Sequence, residues 1–335
     1  LQGGKPADDL PIYPEQWYTD RGVNLMLNTE VLSVDTEKKV IETDSEERRY
    51  SQLLIATGGS PRTLKTPGMN LHGVHVIRNL VQAKAVLDAA KKASKAIVIG
   101  GGFIGLEVAM SLLKQDVKVT VIAPETTMFE KQWGARVGRL VQQLHEEAGI
   151  TFQLGRKVAA IRGEASEVNG VEMDNGHQVS ADLVVVGIGV EPATDFIAGL
   201  EKSSDKGLIA DEYLSVGKEV FAAGDIVQYP DPLAGEVRIE HWKVAAQQGR
   251  VAGRNMAGAQ EKYQMLPYFW SNQQGKNFRY AGHAENWDEI TYEGKPEDRK
   301  FIASYHKNGN LMAVLGLGMD KELAVLAEKM NTPLA

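Results

Sequence analysis

The stretch Ala96-Ile97-Val98-Ile99-Gly100-Gly101-Gly102-Phe103-Ile104-Gly105-Leu106-Glu107-Val108-Ala109 decides the fold. Its apolar run, Ile97 to Ile99, reads as a buried parallel strand. The strand ends in Gly100-x-Gly102-x-x-Gly105, and Leu106, Val108, Ala109, Leu112 and Leu113 then suit a helix packed on a sheet. Gly100 permits the tight turn, Gly102 lets backbone approach a pyrophosphate, and Gly105 lets the helix lie close to the strand. Phosphates would rest on the helix N-terminus, where free N–H groups and the dipole favour negative charge. A second strand, Val117 to Ile122, alternates Val117, Val119 and Val121 and completes a βαβ unit. That context disfavours the plain alternative, a glycine-rich turn without a ligand.

At 335 residues the chain has room for two or three domains, and 43% hydrophobic residues is an ordinary globular composition. A net charge of −7 gives no basic footprint, so nucleic acid is not an expected partner. No apolar run approaches the ~18 residues that would span a bilayer. The lack of cysteine excludes a disulfide framework, thiolate metal sites and a redox-active cysteine pair within these residues. The seven histidines show no metal-site spacing. His72 and His75 are three apart but lack a third ligand, so both read as structural and no metal site is expected. The chain opens Leu1-Gln2-Gly3-Gly4 without an initiator Met, as a processed chain or a fragment would, and no targeting peptide is visible.

Residues 1–30 are polar and turn-rich at Pro6, Pro11 and Pro14, and Trp17, Tyr18 and Val23 to Leu27 suggest a helix leading to a strand. Thr29 to Val34 and Lys39 to Glu42 read as a hairpin turning at Asp35-Thr36-Glu37. A buried strand, Leu53 to Ile55, then runs into Ala56-Thr57-Gly58-Gly59-Ser60-Pro61, a strand ending where backbone comes near something. An amphipathic helix is expected from Val81 to Ala93. After the βαβ unit, the position about twenty residues past the glycines governs ribose chemistry. Ala123 ends the strand and Glu125 follows, with no arginine before Arg136, which favours NAD over its 2′-phosphorylated form. Glu125 as a solvated loop charge is the plain alternative. A helix from Ala135 to Ala148 precedes strands at residues 151–154, 158–162, 168–173 and 177–180, with Asp174-Asn175-Gly176 as a turn. Two further buried strands end in glycine, at Asp182 to Pro192 and at Val220-Phe221-Ala222-Ala223-Gly224-Asp225. Ligands of parallel sheets sit beyond such ends. Asp225 is placed to bond one, or to cap a following helix. Glu240-His241-Trp242 opens a helix rich in small residues. From Tyr263 the pattern changes to antiparallel strands, closed by a helix from Lys321 to Met330.

The Ala56-Thr57-Gly58 strand end, Gly100-x-Gly102-x-x-Gly105-x-Glu107 and Ala222-Ala223-Gly224-Asp225, in that order, resemble the two-dinucleotide-binding flavoprotein disulfide reductase superfamily, that of the FAD-dependent pyridine nucleotide-disulfide oxidoreductases. Within it, Glu240-His241-Trp242, the run Gly249-Arg250-Val251-Ala252-Gly253-Arg254-Asn255-Met256, and Pro267-Tyr268-Phe269-Trp270-Ser271 resemble the apoptosis-inducing-factor branch. Some members of that branch carry a Rieske domain, and putidaredoxin, rubredoxin and dioxygenase ferredoxin reductases are cousins. The resemblance covers essentially the whole chain. It implies an α/β fold with two Rossmann-like dinucleotide-binding domains plus a C-terminal α+β domain. Residues 1–70 would be part of the FAD-binding domain, 71–195 the NAD-binding domain, 196–262 a return to the FAD-binding domain, and 263–335 the C-terminal interface domain. A member should begin with another βαβ unit and a lysine that pairs with the post-glycine glutamate. Both are absent, so the FAD domain is expected to be incomplete at its N-terminus.

The resemblance also implies roles. Thr57, Gly58, Arg78, Asp225, His241, Trp242 and Trp270 match FAD-contacting positions, and Val31 a backbone contact to adenine. Gly100, Gly101, Gly102, Ile104, Glu125 and Gly189 match NAD contacts; Gly105 and Gly224 belong to the same cofactor-binding motifs. Phe103 matches an aromatic between nicotinamide and flavin that must move for stacking. Glu107 matches the carboxylate near the flavin's reactive edge, and Glu240 a nicotinamide-side contact. Trp242 and Trp270 as core aromatics, and Phe103 as sheet packing, are the plain alternatives. The implied function is an NADH-dependent FAD flavoprotein that passes electrons to an iron–sulfur carrier of ferredoxin or Rieske type. Its rivals are reduction of a small acceptor such as monodehydroascorbate or quinone, an NADH-responsive binding protein, and a chain that binds NAD alone. The implied location is cytoplasmic or mitochondrial, between which the residues do not choose, and a homodimer is one state the resemblance allows.

Overall fold

The computed structural model describes residues 10–331, so Leu1 to Gly4 and the turn expected at Pro6 lie outside the described residues. Five parallel strands form the central sheet. In chain order they are β1 (Val74–Val76), β2 (Lys95–Ile99), β3 (Lys118–Ala123), β4 (Thr151–Leu154) and β5 (Leu183–Val186). Between them run α1 (Leu80–Ala90), α2 (Phe103–Leu113) and α3 (Glu130–Glu147). The spatial order is β1-β5-β2-β3-β4. Both faces of this sheet are covered, which is why its strands are apolar without alternation. Val98, Val119, Val121 and Val185 face the helices. Ile97, Ile99, Ile122, Val184 and Val186 pack under Ile161, Val168, Val171 and Met173 of an antiparallel meander formed by Val158–Glu164, Glu167–Met173 and Gln178–Ser180.

At the end of β2 three backbones meet. Gly100 turns with φ +116°, and a Cβ there would lie 2.2 Å from the Gly187 carbonyl oxygen. A Cβ on Gly105 would lie 2.1 Å from the Gly100 carbonyl oxygen. No side chain fits at either contact, so α2 rests directly on the strand ends.

A second core surrounds a smaller sheet, in which Leu53–Ile55 runs parallel to Val220–Ala222 and the latter pairs antiparallel with Ser215–Gly217. α4 (Trp242–Met256) packs on it through Val244, Val251 and Ala252. Gly59–Pro61 and Val190–Pro192 form the two-stranded link towards the central sheet. The expected hairpin forms as Val31–Asp35 and Val40–Thr43. Val23 to Leu27, expected as a strand, is not one. Those residues find no pairing partner, and Val23, Leu25, Met26 and Leu27 stay exposed.

The C-terminal part is a five-stranded antiparallel sheet, ordered Tyr268–Gln273, Lys276–Gly282, Asn310–Leu317, Lys300–Lys307, Glu289–Lys295, with Asp320–Asn331 as its helix. It shares one continuous apolar core with the helical face of the central sheet. The seam is aromatic. Trp133, 1% exposed, stacks on Phe278 at 5.3 Å and meets Phe129 at 4.7 Å, while the Tyr305 hydroxyl donates to the Trp133 carbonyl (3.0 Å). α3 begins before its expected Ala135 because this seam anchors it. Phe129 caps it in the left-handed region (φ +50°), and it kinks at Gly134 (φ +79°). Two crossed ion pairs flank the seam, Arg136 with Glu297 and Arg299 with Glu147, each at 2.7 Å. Both are exposed and therefore orient more than they stabilise. Arg136 holds the Glu297 carboxyl down at about 2. Trp133→Ala should cost about 3–5 kcal/mol in urea unfolding, as expected for a buried aromatic. A loss below about 1 kcal/mol would show that the seam does not join the two parts.

Candidate functional site

The strand ends of both sheets and the edge of the C-terminal sheet face one cleft of about 1850 Å³. From the central sheet come Phe103, Ile104 and Glu107 on α2, Glu125 after β3, and Gly189 after β5. From the second sheet come Gly58, Gly224 and Asp225, with Arg78 between the two. Glu240, His241 and Trp242 enter at the start of α4, and Trp270 from the C-terminal sheet. Residues far apart in the chain thus line one space. Gly100, Gly101, Gly102 and Gly105 do not line it directly; they shape the turn below the α2 N-terminus. Val31 is not among the lining residues, and Thr57 stands between two that are, Ala56 and Gly58. Val31 sits on the hairpin sheet, 37% exposed, and the Thr57 hydroxyl donates to the Ala193 carbonyl (2.7 Å).

The turn has the features of an anion cradle. Gly102 is the N-cap of α2, no side chain caps the helix, and a Cβ on Gly102 would meet nothing within 4 Å. The first-turn N–H groups of α2 therefore face open space, where phosphate oxygens are the natural acceptors.

Across the cleft, Arg78 donates to Asp225 (2.9 Å), and its guanidinium lies 2.9 Å from where a Cβ of Gly58 would stand. No helix follows Asp225, which removes the reading of it as a helix cap. Two residues not expected from sequence hold this corner. Arg238 donates to the Asp225 carbonyl (2.8 Å) and pairs with Asp205 and Glu240, each at 2.7 Å. Gln248 on α4 accepts from Gly224 N–H (2.7 Å), while its own Nε2 is buried without a partner. Their only sequence signal is an arginine in the run before Glu240 and a glutamine on an otherwise small-residue helix face.

His241 caps α4 by accepting from Lys243 N–H at Nδ1 (3.2 Å), so Nε2 is the ring's donor. Burial, with Lys243 nearby, lowers its pKa against the opposing pull of Asp225. Rings run from Phe103 to Phe269 (5.7 Å), to His241 (5.5 Å), to Trp242 (5.7 Å) and edge-on to Trp270 (5.7 Å). Trp242 is 63% and Trp270 43% exposed, so neither is a core aromatic. Phe103 is also gripped by Phe129 (4.5 Å) and Trp133 (5.3 Å), partners the linear sequence does not bring near it. Among the described residues no group of three or more histidine or carboxylate side chains could hold a metal ion, and no helix is long and apolar enough to cross a membrane.

A model of the pyridine nucleotide-disulphide oxidoreductase family matches residues 5–249, and a reductase C-terminal model matches residues 268–332. The chain belongs to this family. It is 34% identical to apoptosis-inducing factor 3 of Homo sapiens over 331 residues, 96% of this chain and 54% of that protein, so it spans about half the length of that relative. Among solved structures it resembles the ferredoxin reductase for the CYP199A2 system from Rhodopseudomonas palustris (TM-score 0.90, 27% identity, 98% of this chain and 81% of that one). It equally resembles the reductase of the covalent putidaredoxin reductase–putidaredoxin complex (TM-score 0.92, 25% identity, with the same coverage). The family is FAD- and NAD(H)-dependent, and the residues present fit both groups. The uncapped α2 N-terminus above Gly102 suits the dinucleotide. The bare Gly58, the Arg78–Asp225 pair and the open indoles of Trp242 and Trp270 suit the flavin end of FAD.

Glu107 faces the cleft, and partial burial pushes its carboxyl above the usual carboxylate range. The folded chain then binds more protons than the unfolded one between the ordinary and the raised pKa, so stability falls as pH rises through that window. Glu107→Gln should flatten that fall in thermal midpoints measured from pH ~4 to ~8 and leave the variant at least as stable as the parent at neutral pH. An unchanged curve would mean that Glu107 titrates as if solvated.

Proposed function

We propose that the chain is an NADH-dependent FAD flavoprotein that passes electrons from NADH to an iron–sulfur carrier of ferredoxin or Rieske type. The observation that supports this is the meeting, in one cleft, of the α2 N-terminus, the Arg78–Asp225 corner and the exposed Trp242–Trp270 pair. In this reading the α2 N–H groups hold the pyrophosphate of the dinucleotide and Glu125 accepts from its ribose hydroxyls. Phe103, standing at the head of α2, screens the ring-facing side of the cleft until it swings out of its aromatic cage. Arg78 and Asp225 fix each other so that both present to FAD with little ordering left to do, and Arg238 keeps Glu240 from wandering. The chemistry supplied by bound FAD is acceptance of a hydride from NADH and release of electrons one at a time. The chain has no cysteine, so its own residues offer no disulfide as acceptor. Two of its structural relatives are ferredoxin-type reductases by name, one in complex with putidaredoxin, which favours a protein carrier over a small acceptor. The likeness to apoptosis-inducing factor 3 supports a second reading, in which NADH changes partner binding and turnover is slow.

A visible absorbance spectrum of the purified chain, before and after anaerobic NADH, tests the proposal. A yellow protein that bleaches with NADH and recovers its colour on adding a ferredoxin is the expected result. A reduced state that lasts for many minutes in the presence of ferredoxin would favour the binding role. A protein that stays colourless with added FAD would overturn the reductase reading.

A further inference from the structure

Phe129 holds a backbone conformation that its side chain does not favour. It is the N-cap of α3 in the left-handed region (φ +50°, ψ 24°), and no side chain caps the helix it opens. A bulky aromatic in that region is strained and persists only where its surroundings over-determine it, so the outlier points to a function. The surroundings here do so. A Cβ on Gly138 would run into the Met128 carbonyl, and one on Gly101 into the end of the Met128 side chain. The turn ahead of Phe129 therefore lies directly on α3 on one side and on the glycine turn after β2 on the other. The Phe129 carbonyl accepts from Gln132 N–H (3.1 Å) and Trp133 N–H (2.7 Å), which sets the start of the helix. The ring so fixed is 3% exposed and lies 4.5 Å from Phe103 and 4.7 Å from Trp133. Trp133 meets Phe103 near edge-on at 5.3 Å, and Phe269 does so at 5.7 Å from the C-terminal sheet. Phe103, Trp133 and Phe269 line the cleft, whereas Phe129 does not. Phe129 thus acts on the cleft through the rings it holds.

Phe103 heads α2, one turn before Glu107 on the cleft side. With a pyrophosphate on the α2 N–H groups and the adenosine half near Glu125, the other half of a dinucleotide has to pass Phe103. We propose that Phe129, backed by Trp133, is a positioning residue that holds the Phe103 ring across this path, so that the cage tunes affinity for the nicotinamide half and leaves the ADP half untouched. This rests on the reading of the cleft as a dinucleotide site screened by Phe103. Binding that must first open the cage shows an affinity reduced by the open fraction. One aromatic contact of this kind favours the closed state about three- to tenfold.

Calorimetric titration of the purified chain, supplied with FAD, tests the proposal with NAD+ and with ADP-ribose, which has the pyrophosphate but no nicotinamide ring. In the parent, NAD+ should bind no more tightly than ADP-ribose. Phe129→Leu, which keeps an apolar side chain and removes the ring, should tighten NAD+ about three- to tenfold and leave ADP-ribose unchanged. Trp133→Phe, which keeps a ring and the backbone acceptor for Tyr305, should move the ratio in the same direction and carries the test if Phe129→Leu does not fold. In Phe103→Ala, the further change Phe129→Leu should alter neither affinity, because no ring is left to hold. An unchanged ratio in a folded Phe129→Leu, a parallel weakening of both ligands, or a shift in ratio that survives Phe103→Ala would overturn the role of Phe129. Failure of the parent to bind ADP-ribose would overturn the dinucleotide reading itself and this proposal with it.

Discussion

The placement of α2, and with it the phosphate-facing end of the cleft, depends on one backbone contact, that of Gly100 and Gly105 with each other and with Gly187. Cβ atoms on Gly100 and Gly105 would stand within 2.2 Å of carbonyl oxygens, so α2 can settle on the strand ends only because side chains are missing there. The consequence is electrostatic as well as steric. A helix that starts this close to the end of β2 brings its unpaired N–H groups to the mouth of the sheet, where a phosphate can reach them. Phe103 and Glu107, one turn apart on the same helix, are carried into the cleft by that same placement.

The second constraint is the aromatic seam. Trp133 is buried between Phe129 and Phe278, and this packing, rather than the exposed Arg136–Glu297 and Arg299–Glu147 pairs, joins the central sheet to the C-terminal sheet. It also explains why Phe129 is held in a left-handed conformation that a non-glycine residue adopts at a cost. Phe103 leans on that cage from the cleft side. Access to the cleft and the joint between the two parts therefore share side chains, and a change in one is felt by the other.

Much of this was legible in the chain. The parallel strands announced themselves as unbroken Val and Ile runs because both faces are covered, and the glycine turn carried its own mechanism. The antiparallel C-terminal strands followed from alternation. What failed has physical reasons. Val23 to Leu27 is apolar but has no strand to pair with, so pattern alone misread it. Val31, expected with the cofactor-binding residues, is not among the residues that line the cleft, and Thr57 lies between two that are, Ala56 and Gly58. Arg238, Gln248 and Trp133 were missed because their partners are long-range: each acts through a contact that only the assembled sheets create.

The central claim is that the space above Gly102 is occupied by a dinucleotide pyrophosphate. Gly102 has ordinary extended backbone (φ −77°, ψ −177°) and nothing within 4 Å of its missing Cβ, so a side chain there fits the protein and obstructs only a ligand. The direct test is Gly102→Val, followed by its thermal midpoint and by NAD+ binding in the calorimeter. The account predicts a folded variant, destabilised by about 1 kcal/mol or less through the poorer helix cap, that has lost NAD+ binding. A folded variant that binds NAD+ as the parent does would contradict it.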